Sequence, residues 1–180
     1  LYTWIYEKGV YDFDQMTDIS KAFRETLSSS YCLTLPKIFR RQDSSDGTLK
    51  LLLEMEDEAK VETVLMPYNY GNAICVSSQV GCNMGCAFCA SGLNKKERNL
   101  TASEMLGEVL VMNSLLQERG ERVTHIVVMG TGEPFDNYDN VMDFIKCAND
   151  QNGLAIGARH ITVSTCGIPD KIRAYGKEGI

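Results

Sequence analysis

From Asn72 onward, runs that read as strands alternate with runs that read as helices, and that rhythm admits few folds. "NAICVSSQ" reads as a strand, and a helix opens at Thr101-x-x-Glu104, a spacing that lets each side chain bond the other's backbone N–H. Met105, Leu106, Val109, Leu110, Leu115 and Leu116 supply the buried face of that helix. "THIVVMG" is a short buried-type strand, and "NVMDFIKCAND" a helix with Val141, Phe144, Ile145 and Ala148 aligned. "RHITVSTCG" is a third strand, and a last short helix starts near Pro169. Strands separated by helices imply parallel βαβ units with right-handed crossovers, hence an α/β fold. In such folds sites gather at the C-terminal ends of the strands. The cysteine loop, "GTGEP" and "STCG" all fall there.

The preceding part reads differently. Leu1 to Leu35 is helical in pattern: an aromatic-rich "LYTWIYEKG" closed by Gly9, then "DISKAFRETLSS", with Asp18 as a cap and Ile19, Phe23 and Leu27 on one face. After the polar "RRQDSSDG", "TLKLLLEM" and "KVETVLMP" read as two strands around the charged turn "EDEA". The expected organisation is a helical unit over 1–45, a β-hairpin linker over 46–70, and the α/β part over 71–180.

Composition narrows the class. The chain is 44% apolar and 23% charged, ordinary for a globular protein. No apolar run approaches the roughly 20 residues that cross a bilayer, and the N-terminus lacks the zones of a signal peptide. An odd seven cysteines with three clustered is a poor disulfide framework and suits ligands or reactive thiols kept reduced, so the expected compartment is the cytoplasm. A net charge of −6 offers no global basic field to nucleic acid. Two local basic groups, Lys37 with Arg40 and Arg41, and Lys95 with Lys96 and Arg98, can contact phosphates or serve as solvated surface charge. Because the chain begins at Leu1 and stops at Ile180 directly after a glycine, it reads as a fragment.

"GCNMGCAFCASG" carries the chemistry. Cys82, Cys86 and Cys89 stand in a C-x3-C-x2-C spacing among Gly81, Gly85 and Gly92, which describes an exposed loop rather than a packed element. Thiolates on one loop converge on zinc or on an iron–sulfur cluster. Zinc needs a remote fourth ligand, for which His125 and His160 are the candidates, each embedded in a strand pattern. Three ligands on a four-iron cubane leave one iron open, the position a substrate needs.

With Phe88 before its last cysteine and a strand ahead of it, the loop resembles that of the radical S-adenosylmethionine enzymes, and "MGTGEP", Met129 to Pro134, resembles their glycine-rich segment. "VETVLMP", "CVSSQVGC", "CAFCASG", "RNLTASE", "MGTGEPFDN" and "ARHITVSTCG" resemble, in order and spacing, the RlmN branch of the RlmN/Cfr family of RNA adenosine methyltransferases. The N-terminal unit and hairpin are similar to that family's accessory RNA-binding domain. The resemblance implies a partial (β/α) barrel of radical SAM type, truncated after about three βα units, behind a small helical domain and a β-hairpin.

It also implies roles. Cys82, Cys86 and Cys89 would ligate a 4Fe–4S cluster, and Gly132, Glu133 and Ser164 would bind S-adenosylmethionine. Cys75 matches the family's second catalytic cysteine, which acts on a covalent protein–RNA intermediate, although by pattern alone it is a buried strand cysteine. Glu62 matches the family's proton acceptor and by pattern is a polar strand residue. The implied reaction methylates carbon 2 of an adenosine in 23S ribosomal RNA, and of a transfer RNA adenosine next to the anticodon, through a methyl-cysteine. Carbon 8, the Cfr-like outcome, and a non-catalytic metal-binding RNA module are the alternatives; "SSQVGC", "GEPFDN" and "ARHITVST" favour carbon 2. The partners implied are these RNAs and an electron donor such as flavodoxin, with no membrane and a monomeric state. The family's methyl-carrying cysteine lies beyond Ile180; Cys147 and Cys166 do not match it and read as packing residues.

Overall fold

The structure, a computed structural model of the chain, describes residues 1–179. Eight strands are formed: β1 Lys37–Asp43, β2 Leu49–Glu54, β3 Lys60–Tyr68, β4 Gly71–Val76, β5 Gln79–Val80, β6 Arg98–Asn99, β7 Val123–Val128 and β8 Ile161–Val163. Four α-helices accompany them: α1 Lys21–Ser30, α2 Ala102–Gln117, α3 Tyr138–Asn149 and α4 Pro169–Tyr175. One six-stranded sheet runs β1-β2-β3-β4-β7-β8, and β5 pairs with β6 in a second small sheet. The first three pairings are antiparallel, whereas β4–β7 and β7–β8 are parallel with α2 and α3 as crossovers. The strand and helix alternation read from the sequence is therefore the observed βαβαβ unit.

Alternation along each strand decides which face is covered. Leu49, Leu51 and Leu53 of β2, Val61 and Leu65 of β3, Ile74 and Val76 of β4, and Ile126 and Val128 of β7 are buried in one core. Met105, Val109 and Met112 of α2 and Val141, Phe144 and Ile145 of α3 fill the same core. Each such side chain contributes about 1.5–3 kcal/mol on burial. The opposite, inner face carries Val64, Cys75 and Val127 in register across three strands, all half-buried. Phe13, Met16 and Leu27 form a separate small core with Trp4, Val10 and Ile19.

Four local readings change. Lys37–Asp43, placed within the helical unit over 1–45, is a fully exposed edge strand on β2: backbone pairing to a strongly apolar neighbour outweighs its charged composition. The cap of α1 is Ser20, whose hydroxyl accepts the Phe23 N–H, rather than Asp18, and Phe23 stays 50% exposed. Residues Thr3–Glu7 form a π-type turn, and Arg159 and His160 lie in a 3-10 turn that shortens the third parallel strand to Ile161–Val163. Cys147 and Cys166, read as packing residues, are both exposed. The Thr101/Glu104 capping box forms as expected. Among the described residues no helix is long and apolar enough to cross a membrane.

Candidate functional site

The C-terminal ends of β4, β7 and β8 feed three loops that lie together. After β4, Ser78 and Gln79 give their N–H groups to the Thr131 carbonyl (2.9 and 3.1 Å), and Gly130 returns its own to Val76 (3.0 Å). Side chains complete the join. Gln79 accepts the Glu133 N–H (2.9 Å) and donates to Asn99 and Asp136 (2.8 and 2.9 Å), while Asn137 donates to the Ser78 and Leu100 carbonyls (2.8 and 2.7 Å). Ser77, Ser78, Gln79 and Asn137 are at most 2% exposed, so each pairing is shielded from water.

From this base the cysteine loop projects. Pairing of Gln79 with Asn99 and Val80 with Arg98 closes its neck. At Gly81, where φ is +72°, a Cβ would lie 2.1 Å from the Lys95 carbonyl oxygen, so only glycine permits that closure. Cys82 donates its N–H to Asn94 (3.0 Å) and Cys89 to Cys86 (3.0 Å). Cys82 and Cys86 are half-buried, whereas Cys89 and Phe88 are exposed, Phe88 at 95%. Bonds from Ser91 hold the Cys89 thiol below its ordinary pKa.

The turn after β7 faces that loop. Gly132 has φ +110°, and a Cβ there would meet the Gln79 side chain at 2.6 Å. Glu133, 3% exposed, accepts from the Phe135 N–H (3.0 Å) and Thr165 hydroxyl (2.6 Å) on Oε1 and from the Cys166 N–H (2.7 Å) on Oε2. Ser164 donates its N–H to Val128 (3.1 Å), which extends the β7–β8 pairing into the site. The Cys166 thiol lies against Glu133 and close to Cys86; burial first, then Glu133, pushes it up to about 11.

Two further candidates sit on the inner face below these loops. Cys75 is paired with Val64, and Glu62 lies two residues from Val64 toward the loop end, so the two share a face as diagonal neighbours. Such neighbours are about 7–8 Å apart. Burial, then the nearby Glu108 carboxyl, pushes the Cys75 thiol up to about 11. Glu62 is exposed and pairs with Lys50 (2.9 Å).

The three loop thiols do not converge on one ion: among the described residues no three His, Cys, Asp or Glu side chains are grouped to hold one. His125 and His160 stack on each other, ring centroids 4.3 Å apart, at the entry ends of β7 and β8, away from the cysteine loop, so neither supplies a fourth zinc ligand. A cubane, in which each thiolate takes a different iron, suits three separated soft donors on one loop. The residues present fit a 4Fe–4S cluster. One expected basic group is spent internally: Lys96 binds Asp136 (2.6 Å) and Arg98 bridges Asp57 and Glu104 (2.6 and 2.7 Å). Sequence reasoning passed over Ser77, Gln79, Asn137 and Glu108, although "SSQ" at the end of a strand and an acid on the apolar stripe of α2 were legible signals.

Comparison with known proteins agrees. A model of the radical SAM superfamily matches residues 76–180, and one of the ribosomal RNA large subunit methyltransferase N-terminal domain matches residues 1–33. A protein of Streptococcus equi subsp. zooepidemicus (strain H70), named "Probable dual-specificity RNA methyltransferase RlmN", is 52% identical over 100% of this chain and 51% of its own length. One of the same name from Spiroplasma citri is 52% identical over 98% of this chain and 51% of its own length. The crystal structure of a radical SAM methyltransferase from Sphaerobacter thermophilus superposes with a TM-score of 0.92 at 39% identity, over 99% of this chain and 53% of that one. The chain thus spans about half the length of the curated relatives it matches. Their superfamily is one of 4Fe–4S cluster and S-adenosylmethionine chemistry, the groups that the thiol loop and the glycine turn suit, and this chain belongs to that radical SAM superfamily.

Proposed function

We propose that the protein containing this chain is a radical SAM methyltransferase that modifies carbon 2 of an adenosine in 23S ribosomal RNA, and of a transfer RNA adenosine next to the anticodon, through a methyl-cysteine outside this segment. The observation that carries the reading is the meeting of the thiol loop, the Gly132–Glu133 turn and the end of β8 at one end of the parallel strands, with Glu62 and Cys75 on the adjoining inner face. Carbon 2 of adenine is an unactivated, electrophilic aromatic carbon that cannot attack a sulfonium methyl as an amine would. When bound, the cluster and S-adenosylmethionine supply the one-electron chemistry such a carbon requires.

The chain's own residues bind and manage protons. Cys82, Cys86 and Cys89 would hold the cluster. Gly132, whose positive φ and close approach to Gln79 and Ser78 admit no side chain, holds the turn whose backbone, beside Ser164, would meet the methionine end of S-adenosylmethionine. Two donors already fill Oε1 of Glu133, whereas the single Cys166 N–H at Oε2 leaves a lone pair there for an ammonium. With its thiol raised to about 11, Cys75 remains protonated at neutral pH until a base takes the proton, which suits a group held back until a covalent protein–RNA adduct must be resolved. Glu62, exposed and paired only with the half-buried Lys50, is placed to accept a proton from the adenine ring. The target base must be unstacked to reach this face. An electron donor of flavodoxin type, a monomer and a cytoplasmic setting belong to the same reading.

The test uses the full-length protein, reconstituted anaerobically with iron and sulfide and incubated with S-adenosylmethionine, a reductant and RNA lacking the modification. Nucleoside mass spectrometry is expected to find 2-methyladenosine, and Cys75→Ala to accumulate a protein–RNA adduct. The 180-residue polypeptide alone is expected to methylate nothing. An 8-methyl product, or none from the full-length protein, overturns the assignment.

A further inference from the structure

Glu108 is buried completely (0% exposed) on the apolar stripe of α2, between Met105 and Met112. No cation pairs with it among the described residues, and the guanidinium of Arg98, which binds Glu104 one turn earlier, is committed to Asp57 and Glu104. Its Oε2 accepts the Ser77 N–H (3.1 Å), while Oε1 has no partner within hydrogen-bonding geometry. The Thr63 hydroxyl gives its proton to the Cys75 carbonyl (2.8 Å) and is no hydrogen-bond partner of Oε1. A fully buried carboxylate with no cation and one unpartnered oxygen bears a desolvation cost that a proton on Oε1 removes.

We infer that Glu108 is a neutral carboxylic acid that positions the site: Oε2 takes the Ser77 N–H and the unpartnered Oε1 carries the proton, so that α2 is tied to the end of β4 without a buried charge. The effect passes outward through Ser77. That hydroxyl donates to the Glu62 carbonyl (2.7 Å) and accepts the Thr131 N–H (2.9 Å), and a Cβ on Gly130 would come within 2.7 Å of it. One buried acid thus sets three things relative to each other: the strand of Glu62, the strand of Cys75 and the glycine turn. Burial, the largest influence on Glu108, favours the same neutral form, as does Glu104 one turn earlier. Neutrality also removes the Glu108 charge from the causes that raise the Cys75 thiol and leaves burial as the main one. The functional meaning of this positioning rests on the reading given above.

The experiment takes the full-length protein with its cluster reconstituted. Infrared difference spectra between wild type and Glu108→Gln are expected to show the C=O stretch of a protonated carboxylic acid in wild type at both pH 7 and pH 9. Glutamine offers the same carbonyl and an N–H in place of the O–H, so Glu108→Gln should keep equilibrium S-adenosylmethionine affinity within about twofold. Glu108→Leu and Ser77→Ala should each weaken it about tenfold, the equivalent of one buried hydrogen bond. The pH profile of Cys75 alkylation should be the same in wild type and Glu108→Gln. Absence of the infrared band, damage by glutamine equal to that by leucine, or a Cys75 profile moved to lower pH in Glu108→Gln would each overturn the inference. Gly132→Ala separates the two failures: if it leaves S-adenosylmethionine binding intact, the glycine turn is not the cofactor site, while the infrared band and the Cys75 profile still decide the state of Glu108.

Discussion

Cys75 and Cys89 show how position alone separates two thiols of one chain. Cys75 points from near the C-terminal end of β4 onto a half-buried face, and burial pushes it up to about 11. Cys89 lies in an exposed loop where Ser91 holds it below its ordinary value. The thiolate is the reactive form, so in the chain without metal iodoacetamide at pH 8 should label Cys89 well before Cys75. Labelling of Cys75 should keep accelerating as pH rises beyond 9, where an ordinary thiol levels off. Peptide mass mapping over a pH series checks both statements; equal rates would show that β4 opens freely. The cluster of Cys82, Cys86 and Cys89 was legible from its local spacing, and the Gly132–Glu133 pair and Ser164 through the motifs that carry the family resemblance. Which thiols are shielded was not: Cys147 and Cys166 look apolar in context yet are exposed.

At the scale of elements, α2 carries the clearest tension between local propensity and packing. Its N-terminus is closed by the reciprocal bonds of Thr101 and Glu104, and Arg98 clamps Glu104 from β6 (2.7 Å). In its middle stands Gly107, a poor helix former by about 1 kcal/mol relative to alanine. A Cβ there would lie 2.6 Å from Cδ of Pro36, in the segment leading into β1. Overpacking of that kind costs about 1–3 kcal/mol. Gly107→Ala should therefore lower the melting temperature, with a net loss on the order of 1 kcal/mol, against the rise that helix propensity alone foretells. A rise in calorimetry would mean that the Pro36 ring yields. The start of α2 was readable from its capping box and α3, apart from its first two residues, from 3.6-residue periodicity, but β1 was not, because an edge strand draws its order from its neighbour's backbone rather than from its own side chains.

For the whole molecule, the sheet with α2 and α3 is one cooperative core, whereas the cysteine loop hangs from it by its neck. Removing the cluster from the full-length protein with a chelator should expose residues 82–93 to proteolysis while hydrogen exchange in β4 and β7 stays protected. Loss of protection in the sheet would mean that the cluster is part of the core. Sequence by itself determined the order of parallel strands, the thiol loop and the glycine turn, since caps, alternation and ligand spacing act within a few residues. Tertiary structure alone decided that Glu62 and Cys75 share a face, that Lys96 and Arg98 are spent on internal carboxyls, and that Glu108 lies beneath Ser77. Those outcomes depend on strand register and on which side chains meet in the core, and both are set by packing between segments that are distant along the chain.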